Sequence, residues 1–296
     1  MITTTWSALT AGSAPISGPA ALTIGAFDGI HLGHRRILRE LRSRAERLRR
    51  DHATAPGCVV LTFREHPRAV LTGRHPGVLT TQRQRQAQFA ALGVTCLVMI
   101  DFSAGFSRLT GREFVEALRS GMSLQTLVVG EDFRCGRGRD TDVEELQRLL
   151  APAGVRVVAV PPVIAGASAV SSTRIRAAVR DGDFAVTRDL MGRPFEVDLH
   201  TACGKIALSD SGDPGARSFA VAVDRIEQVL PKPGSYAVSA VFPERDPVTT
   251  VVTVTTDQIC GTLPERMREV PAELRFHRRL ERRMPGVSPT AYIQEK

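Results

Sequence analysis

Between residues 20 and 160, short apolar runs alternate with segments whose apolar residues recur every three or four positions, and few folds accommodate that rhythm. Residues 20–24 and 57–63 are continuous apolar runs, the mark of strands covered on both faces. Between them Ile37, Leu41, Ala45 and Leu48 fall on one face of a helix that begins near Leu32. Strand, helix and strand predict a parallel pair joined by a right-handed crossover. The rhythm then repeats, with helices expected over 82–92, 111–119 and 143–150 and strands over 95–100, 126–129 and 156–160. The expected fold class is α/β, a doubly wound parallel sheet whose ligand crevice lies at the carboxyl ends of the strands.

The first strand hands over to the first helix through Gly25-Ala26-Phe27-Asp28-Gly29-Ile30-His31-Leu32-Gly33-His34. A helix N-terminus presents unpaired N–H groups and the positive end of its dipole, which favours an anion. Gly25, Gly29 and Gly33 let the backbone come close to a bulky phosphate. His31 and His34 are placed to donate hydrogen bonds to phosphoryl oxygens, with Asp28 orienting the turn. Two other readings stand beside this one: structural histidines at a tight turn, or a zinc pair. The zinc reading lacks support, because no other His, Cys, Asp or Glu cluster has a spacing that closes a site; no metal ligand is assigned.

With 296 residues the chain is long enough for two domains. Its formal charge of +8 comes largely from arginine, densest at Arg35, Arg36, Arg39, Arg42, Arg44, Arg47, Arg49 and Arg50. Glu40 and Glu46 offer local partners there, so the segment reads as a solvated helix face that also draws in phosphorylated substrates. No nucleic-acid recognition motif accompanies the charge, and nucleic acid is not an expected partner. No apolar run reaches the roughly 20 residues of a membrane span, and residues 1–19 lack a basic start followed by an apolar core. A cytoplasmic location is expected, with Cys58, Cys96, Cys135, Cys203 and Cys260 as reduced thiols. Residues 1–19 read as a lead-in with little structure.

Three further segments carry chemistry. Thr62-Phe63-Arg64-Glu65-His66-Pro67 leaves the second strand, and Gly130-Glu131-Asp132-Phe133-Arg134-Cys135-Gly136 leaves the strand ending near Val129. Ser171-Ser172-Thr173-Arg174-Ile175-Arg176 opens a helix, where Ser172 and Thr173 suit an N-cap and the arginines suit a triphosphate. The first turn, these segments and Leu190-Met191-Gly192-Arg193-Pro194-Phe195, taken in order, resemble the bacterial bifunctional riboflavin kinase/FAD synthetase family, an HxGH nucleotidyltransferase family. The resemblance covers about residues 20–195. It implies transfer of AMP from ATP, with Mg2+ as the substrate complex, to FMN, giving FAD and pyrophosphate. It also implies catalytic roles for His31, His34 and Arg176, and nucleotide contacts from Gly25, Phe27, Asp28, Gly29, Gly33, Ser172, Thr173 and Arg174. Phe63, Glu65, His66, Asp132, Phe133 and Cys135 fall on the implied flavin wall. The chain departs from the family pattern at Glu65, where a proline is expected, at Cys135, where an aromatic is expected, and over residues 139–142, where a glycine is expected.

From residue 196 the chain changes to short β-branched runs at 218–223, 235–242 and 249–256, which predict a small antiparallel, barrel-like β domain. Residues 233–238 resemble a strand of the family's kinase module, and residues 274–280 its closing helix. The kinase's Gly-Phe-Pro-Thr-Ala-Asn segment is missing, and Cys203-Gly204-Lys205-Ile206-Ala207-Leu208-Ser209 stands in its place. Among residues 249–257 only Asp257 offers a carboxylate for a general base. The resemblance therefore implies a degenerate kinase domain over 196–296. Two rival functions stay open at this point: nucleotidyl transfer to another phosphorylated acceptor, and a non-catalytic flavin or nucleotide sensor. The sequence leaves the oligomeric state undetermined.

Overall fold

The computed structural model describes all residues except 52–56, 66, 68–69, 71–72, 74–76, 201, 203–205, 207, 213 and 281–296. The chain forms two compact units: Met1–Pro76 with Gln82–Ala169, and Gly77–Thr81 with Val170–Lys296.

In the first unit, strands β1 (Ile2–Thr5), β2 (Pro19–Ile24), β3 (Gly57–Phe63), β4 (Cys96–Ile100), β5 (Ser123–Gly130) and β6 (Arg156–Val160) form a parallel sheet in the order β1-β4-β3-β2-β5-β6. Helices α1 (Trp6–Thr10), α2 (Leu32–Asp51), α3 (Gln82–Ala91), α4 (Gly111–Gly121) and α5 (Val143–Leu150) lie between successive strands. Leu38 and Leu41 of α2 and Phe89 of α3 bury one sheet face with Ala21, Val60, Leu97 and Val128. Leu9, Phe114, Leu118 and Leu146 bury the opposite face with Leu22, Val59, Val98 and Leu127. Covered on both sides, β2 is buried at every position, which is why its sequence is a continuous apolar run. The expected doubly wound sheet is thus present, with β2 between β3 and β5 where the strand order reverses. Ligand crevices of open α/β sheets open at that point. A short hairpin, β7 (Ile164–Ala165) with β8 (Ser168–Ala169), ends the unit.

The expected unstructured lead-in is corrected. Ile2–Thr5 pairs with β4, the Thr5 side chain caps α1, and Trp6 packs against Phe106 and Phe114. Main-chain pairing at a sheet edge needs no apolar run, so this strand left little signal.

In the second unit, helices α6 (Ser172–Asp181) and α7 (Phe184–Met191) precede strands β9 (Phe195–Asp198), β10 (Leu208–Asp210), β11 (Ala216–Ala222), β12 (Gly234–Phe242), β13 (Arg245–Val254), β14 (Gln258–Pro264) and β15 (Glu273–Leu280). The strands form one antiparallel sheet in the order β10-β11-β14-β13-β12-β15-β9. Phe184 of α7 packs against Phe276 at 5.0 Å and Tyr236 at 5.7 Å, centroid to centroid, so the helices following Val170 belong with this sheet. The compact units therefore divide after Ala169, rather than at the 195/196 boundary of the motif pattern. The helix expected over 274–280 is corrected to a strand. Leu274 and Phe276 are buried alternately, and the segment pairs with both β12 and β9.

Candidate active site

The turn leaving β2 is built on unusual backbone. Phe27 (φ 50°), Gly29 (φ 85°) and Ile30 (φ 37°) all adopt positive φ, which for a β-branched residue is a true outlier. The surroundings hold it there. Phe27 and Ile30 are each 1% exposed, and Phe27 packs edge-on against Phe89 at 5.6 Å. The Ala26 carbonyl accepts from the Arg85 guanidinium at 3.0 Å and from the Thr62 hydroxyl at 3.3 Å. A Cβ at Gly25 would meet the Phe27 ring at 3.1 Å, so the buried ring would have to give by a few tenths of an ångström.

His31 stands just before α2, and its Nδ1 accepts the His34 backbone N–H at 3.4 Å, as an N-cap side chain does. With Nδ1 an acceptor, a neutral imidazole carries its proton on Nε2 and presents it as a donor. The His34 ring stacks on His31 with centroids 3.7 Å apart and meets the Phe27 ring edge-on at 5.1 Å. The buried His34 Nδ1 has no hydrogen-bond partner. Burial lowers the pKa of His31 to about 4 and that of His34 well below its ordinary value; the neighbouring His31 adds to the second effect. Both rings are therefore neutral at pH 7. Asp28 is buried within the same turn.

The loops after β3 and β5 leave the two strands that flank β2, at the same carboxyl end. Phe63 closes a run of aromatic contacts with Phe102 (5.7 Å) and Phe106 (6.4 Å). Glu65 is exposed, and Arg64 pairs with Asp101 at 2.6 Å; the carboxylate that departs from the family pattern faces solvent. His66 lies outside the described residues. Asp132 is exposed, whereas Phe133 and Cys135 pack partly against the core. Burial raises the Cys135 thiol to about 12, with the Asp140 charge adding to the shift, so it is no nucleophile at neutral pH. Arg139 takes φ 64°, a conformation that favours glycine.

Arg85, Phe102 and Phe106 escaped the sequence reading. Arg85 bridges the Ala26 carbonyl and the Phe63 carbonyl (3.3 Å), tying the turn after β2 to the end of β3. Its only signal was an inward position four residues before the buried Phe89.

In the second unit the cap of α6 is Ser171, whose hydroxyl accepts from the Arg174 N–H at 3.3 Å. Capping therefore accounts for neither Ser172 nor Thr173. Thr173 is exposed and Arg174 half-buried. Arg176 is 7% exposed, and its Nε donates to the Gly77 carbonyl at 2.9 Å. Among the described residues no three or more His, Cys, Asp or Glu side chains gather closely enough to hold a metal ion, and no helix is long and apolar enough to cross a membrane.

A glycine-framed histidine pair, at the head of the helix leaving the central strand where strand order reverses, defines an enzyme of the nucleotidyltransferase class. Residues 14–174 match the family model described as FAD synthetase. A FAD synthetase of Listeria monocytogenes is 32% identical over 183 residues, 61% of this chain and 72% of that protein. A bifunctional riboflavin kinase/FMN adenylyltransferase of Escherichia coli K12 is 31% identical over 226 residues, 76% of this chain and 69% of that protein. A solved structure described as a macrolide-efflux protein of Streptococcus pneumoniae has a TM-score of 0.77 at 23% identity, covering 99% of this chain and 95% of that one; this likeness concerns the fold alone. The chain belongs to the FAD synthetase family.

Proposed function

We propose that the protein is an FMN adenylyltransferase. A phosphate oxygen of FMN attacks the α-phosphorus of Mg-ATP in line, the bond to the bridging oxygen breaks, and pyrophosphate leaves with the electron pair. The observation that carries this is the stacked His31–His34 pair at the head of α2, in a chain of the FAD synthetase family. Two neutral N–H donors, the helix N-terminus and the backbone of Gly29 and Gly33 suit a polyphosphate without an added ionic group. His31 and His34 take the phosphates and the charge developing on the leaving pyrophosphate. The assignment of Ser172, Thr173, Arg174 and Arg176 to the nucleotide rests on the motif. Mg2+ enters as part of the substrate complex with ATP.

Phe63 and Phe133 supply apolar surface for the flavin. The exposure of Glu65 favours FMN as acceptor, since this carboxylate faces solvent. A cytoplasmic location goes with this reading. The missing Pro-Thr-x-Asn segment supports loss of riboflavin kinase activity in the second unit.

The test is incubation of the purified protein with Mg-ATP and FMN, reading FAD by chromatography and pyrophosphate release. FAD formation is expected, and FMN binding without turnover would refute the enzyme reading. In a parallel reaction with riboflavin and ATP, neither FMN nor FAD above a no-enzyme control is expected; formation of either would overturn the loss of kinase activity.

A further inference from the structure

Within the second unit, Gly77–Thr81 runs as a strap beside Glu227–Val229. The Val78 N–H donates to the Glu227 carbonyl at 3.2 Å, and the Val229 N–H donates to the Val78 carbonyl at 2.8 Å. Gln228, 4% exposed, clamps the strap further along. Its Nε2 donates to the Leu79 carbonyl at 3.0 Å and to the Glu196 carbonyl at 2.8 Å, while its Oε1 accepts the Asp198 N–H at 2.6 Å. The buried Asp198 in turn accepts from the Thr81 hydroxyl at 2.7 Å. Two donors and an acceptor on one planar group are what a primary amide offers. A glutamate would set its carboxylate against two carbonyls, and a methionine would remove all three bonds.

The upstream end of the strap is Gly77, whose carbonyl accepts from Arg176 Nε at 2.9 Å. Arg176 is buried on α6. Its guanidinium is planar, so an acceptor at Nε narrows the directions open to the Nη pair. Gly77 sits at φ 75°, and a Cβ there would lie 3.3 Å from the Val229 backbone, so the place of this carbonyl depends on the close approach of the strap to Val229.

We infer that Gln228 is a positioning residue for the nucleotide: through the strap it holds the Gly77 carbonyl where that carbonyl aims the Arg176 guanidinium at the phosphates of ATP. The inference rests on the assignment of Arg176 to the nucleotide made above. Gln228 acts on binding without touching the substrate, because a charged fork displaced by about 1 Å loses much of its effect.

The test is a double-mutant cycle on the full chain, read as the KM for Mg-ATP in FAD formation. Gln228→Met should raise that KM about tenfold, with the KM for FMN nearly unchanged. Loss of folded protein lowers the apparent kcat and leaves KM alone, so a rise in KM separates positioning from stability. Val252→Ala, which opens a cavity in the buried core at β13, is the destabilised control and should leave both KM values unchanged. In an Arg176→Ala background the Gln228 substitution should change the KM for Mg-ATP by less than about twofold. An unchanged KM in folded Gln228→Met, or the same rise with the Arg176 side chain absent, overturns the inference. Should Gln228→Met fail to fold, Gly77→Ala, which displaces the acceptor itself, must give the same Arg176-dependent rise. If the unaltered chain forms no FAD, the transferase reading fails by itself, and the cycle is read instead as the Kd of Mg-ATP by calorimetry. Coupling there sustains the positioning role; additive effects, or no binding of Mg-ATP, overturn it.

Discussion

Helices α2 and α6 both begin at segments that carry family motifs, but they begin in different ways. Helix α6 starts as most helices do: Ser171 is extended (φ −146°, ψ 153°) and its hydroxyl bonds an early N–H. Helix α2 is led in by Phe27, Gly29 and Ile30 at positive φ and capped by an imidazole. A serine would satisfy the same N–H without strain, so capping does not explain the arrangement at α2. Strain of about 1–3 kcal/mol per outlier persists only where packing over-determines it. Here the full burial of Phe27 and Ile30 and the bonds from Arg85 and Thr62 to Ala26 do so. Under the proposed function the strained start aims the two histidines at the phosphates, whereas α6 begins without strained backbone.

Removing the His31 ring tests that contrast most severely. His31→Ala should lower the rate of FAD formation by about 10²-fold or more, the scale of one lost donor to developing charge; a change below a few-fold would take His31 out of the mechanism. Acid provides the next largest effect. With its pKa held at about 4 when folded against 6.5 ordinarily, His31 binds fewer protons in the folded state than in the unfolded chain between those values. Stability from this source is complete above pH 6.5 and falls as the pH drops toward 4, by roughly 3 kcal/mol for His31 alone, with His34 acting in the same direction. Urea midpoints measured across that range should fall steeply for the unaltered chain and less steeply for His31→Gln; parallel slopes would contradict the burial account. Arg85→Met leaves carbonyls of the turn without their donor and should cost about 2 kcal/mol in stability. It should also depress kcat, because the turn loses its tie to β3. Unchanged kcat in a folded variant would make Arg85 structural only. Ser171→Ala is the mild case, expected to cost about 1 kcal/mol in stability with kcat nearly unchanged. A large loss of kcat there would erase the distinction between the two helix starts.

Much of this was legible in the chain. The apolar runs of β2 to β6 announced a sheet covered on both faces, and the glycine-framed histidines announced the turn, because those residue types have few alternatives in such places. What escaped was set by partners distant in sequence. The Thr-rich β1 is specified by main-chain pairing with β4, and β15 by alternate burial between β12 and β9. Arg85 acquires its meaning from the Ala26 carbonyl, 59 positions away along the chain. Residue type suggested Ser172 and Thr173 as caps, whereas the extended backbone of Ser171 decides the position. Local patterns report local geometry, and they are silent on which carbonyl a distant guanidinium will reach.

Gly77–Thr81 lies in sequence between β3 and α3 yet belongs to the second unit, where the Leu79 carbonyl accepts from Gln228 at 3.0 Å and the Thr81 hydroxyl bonds Asp198. The polypeptide is therefore interleaved, and no single cleavage point separates two self-contained halves. A protein shortened after Ala169 would carry Gly77, Val78, Leu79 and Thr81 with bonding partners deleted, immediately before the helix that bears Arg85. Exchanging the C-terminal part for that of another enzyme would meet the same obstacle. That part supplies the anchoring for a stretch of backbone encoded upstream of it.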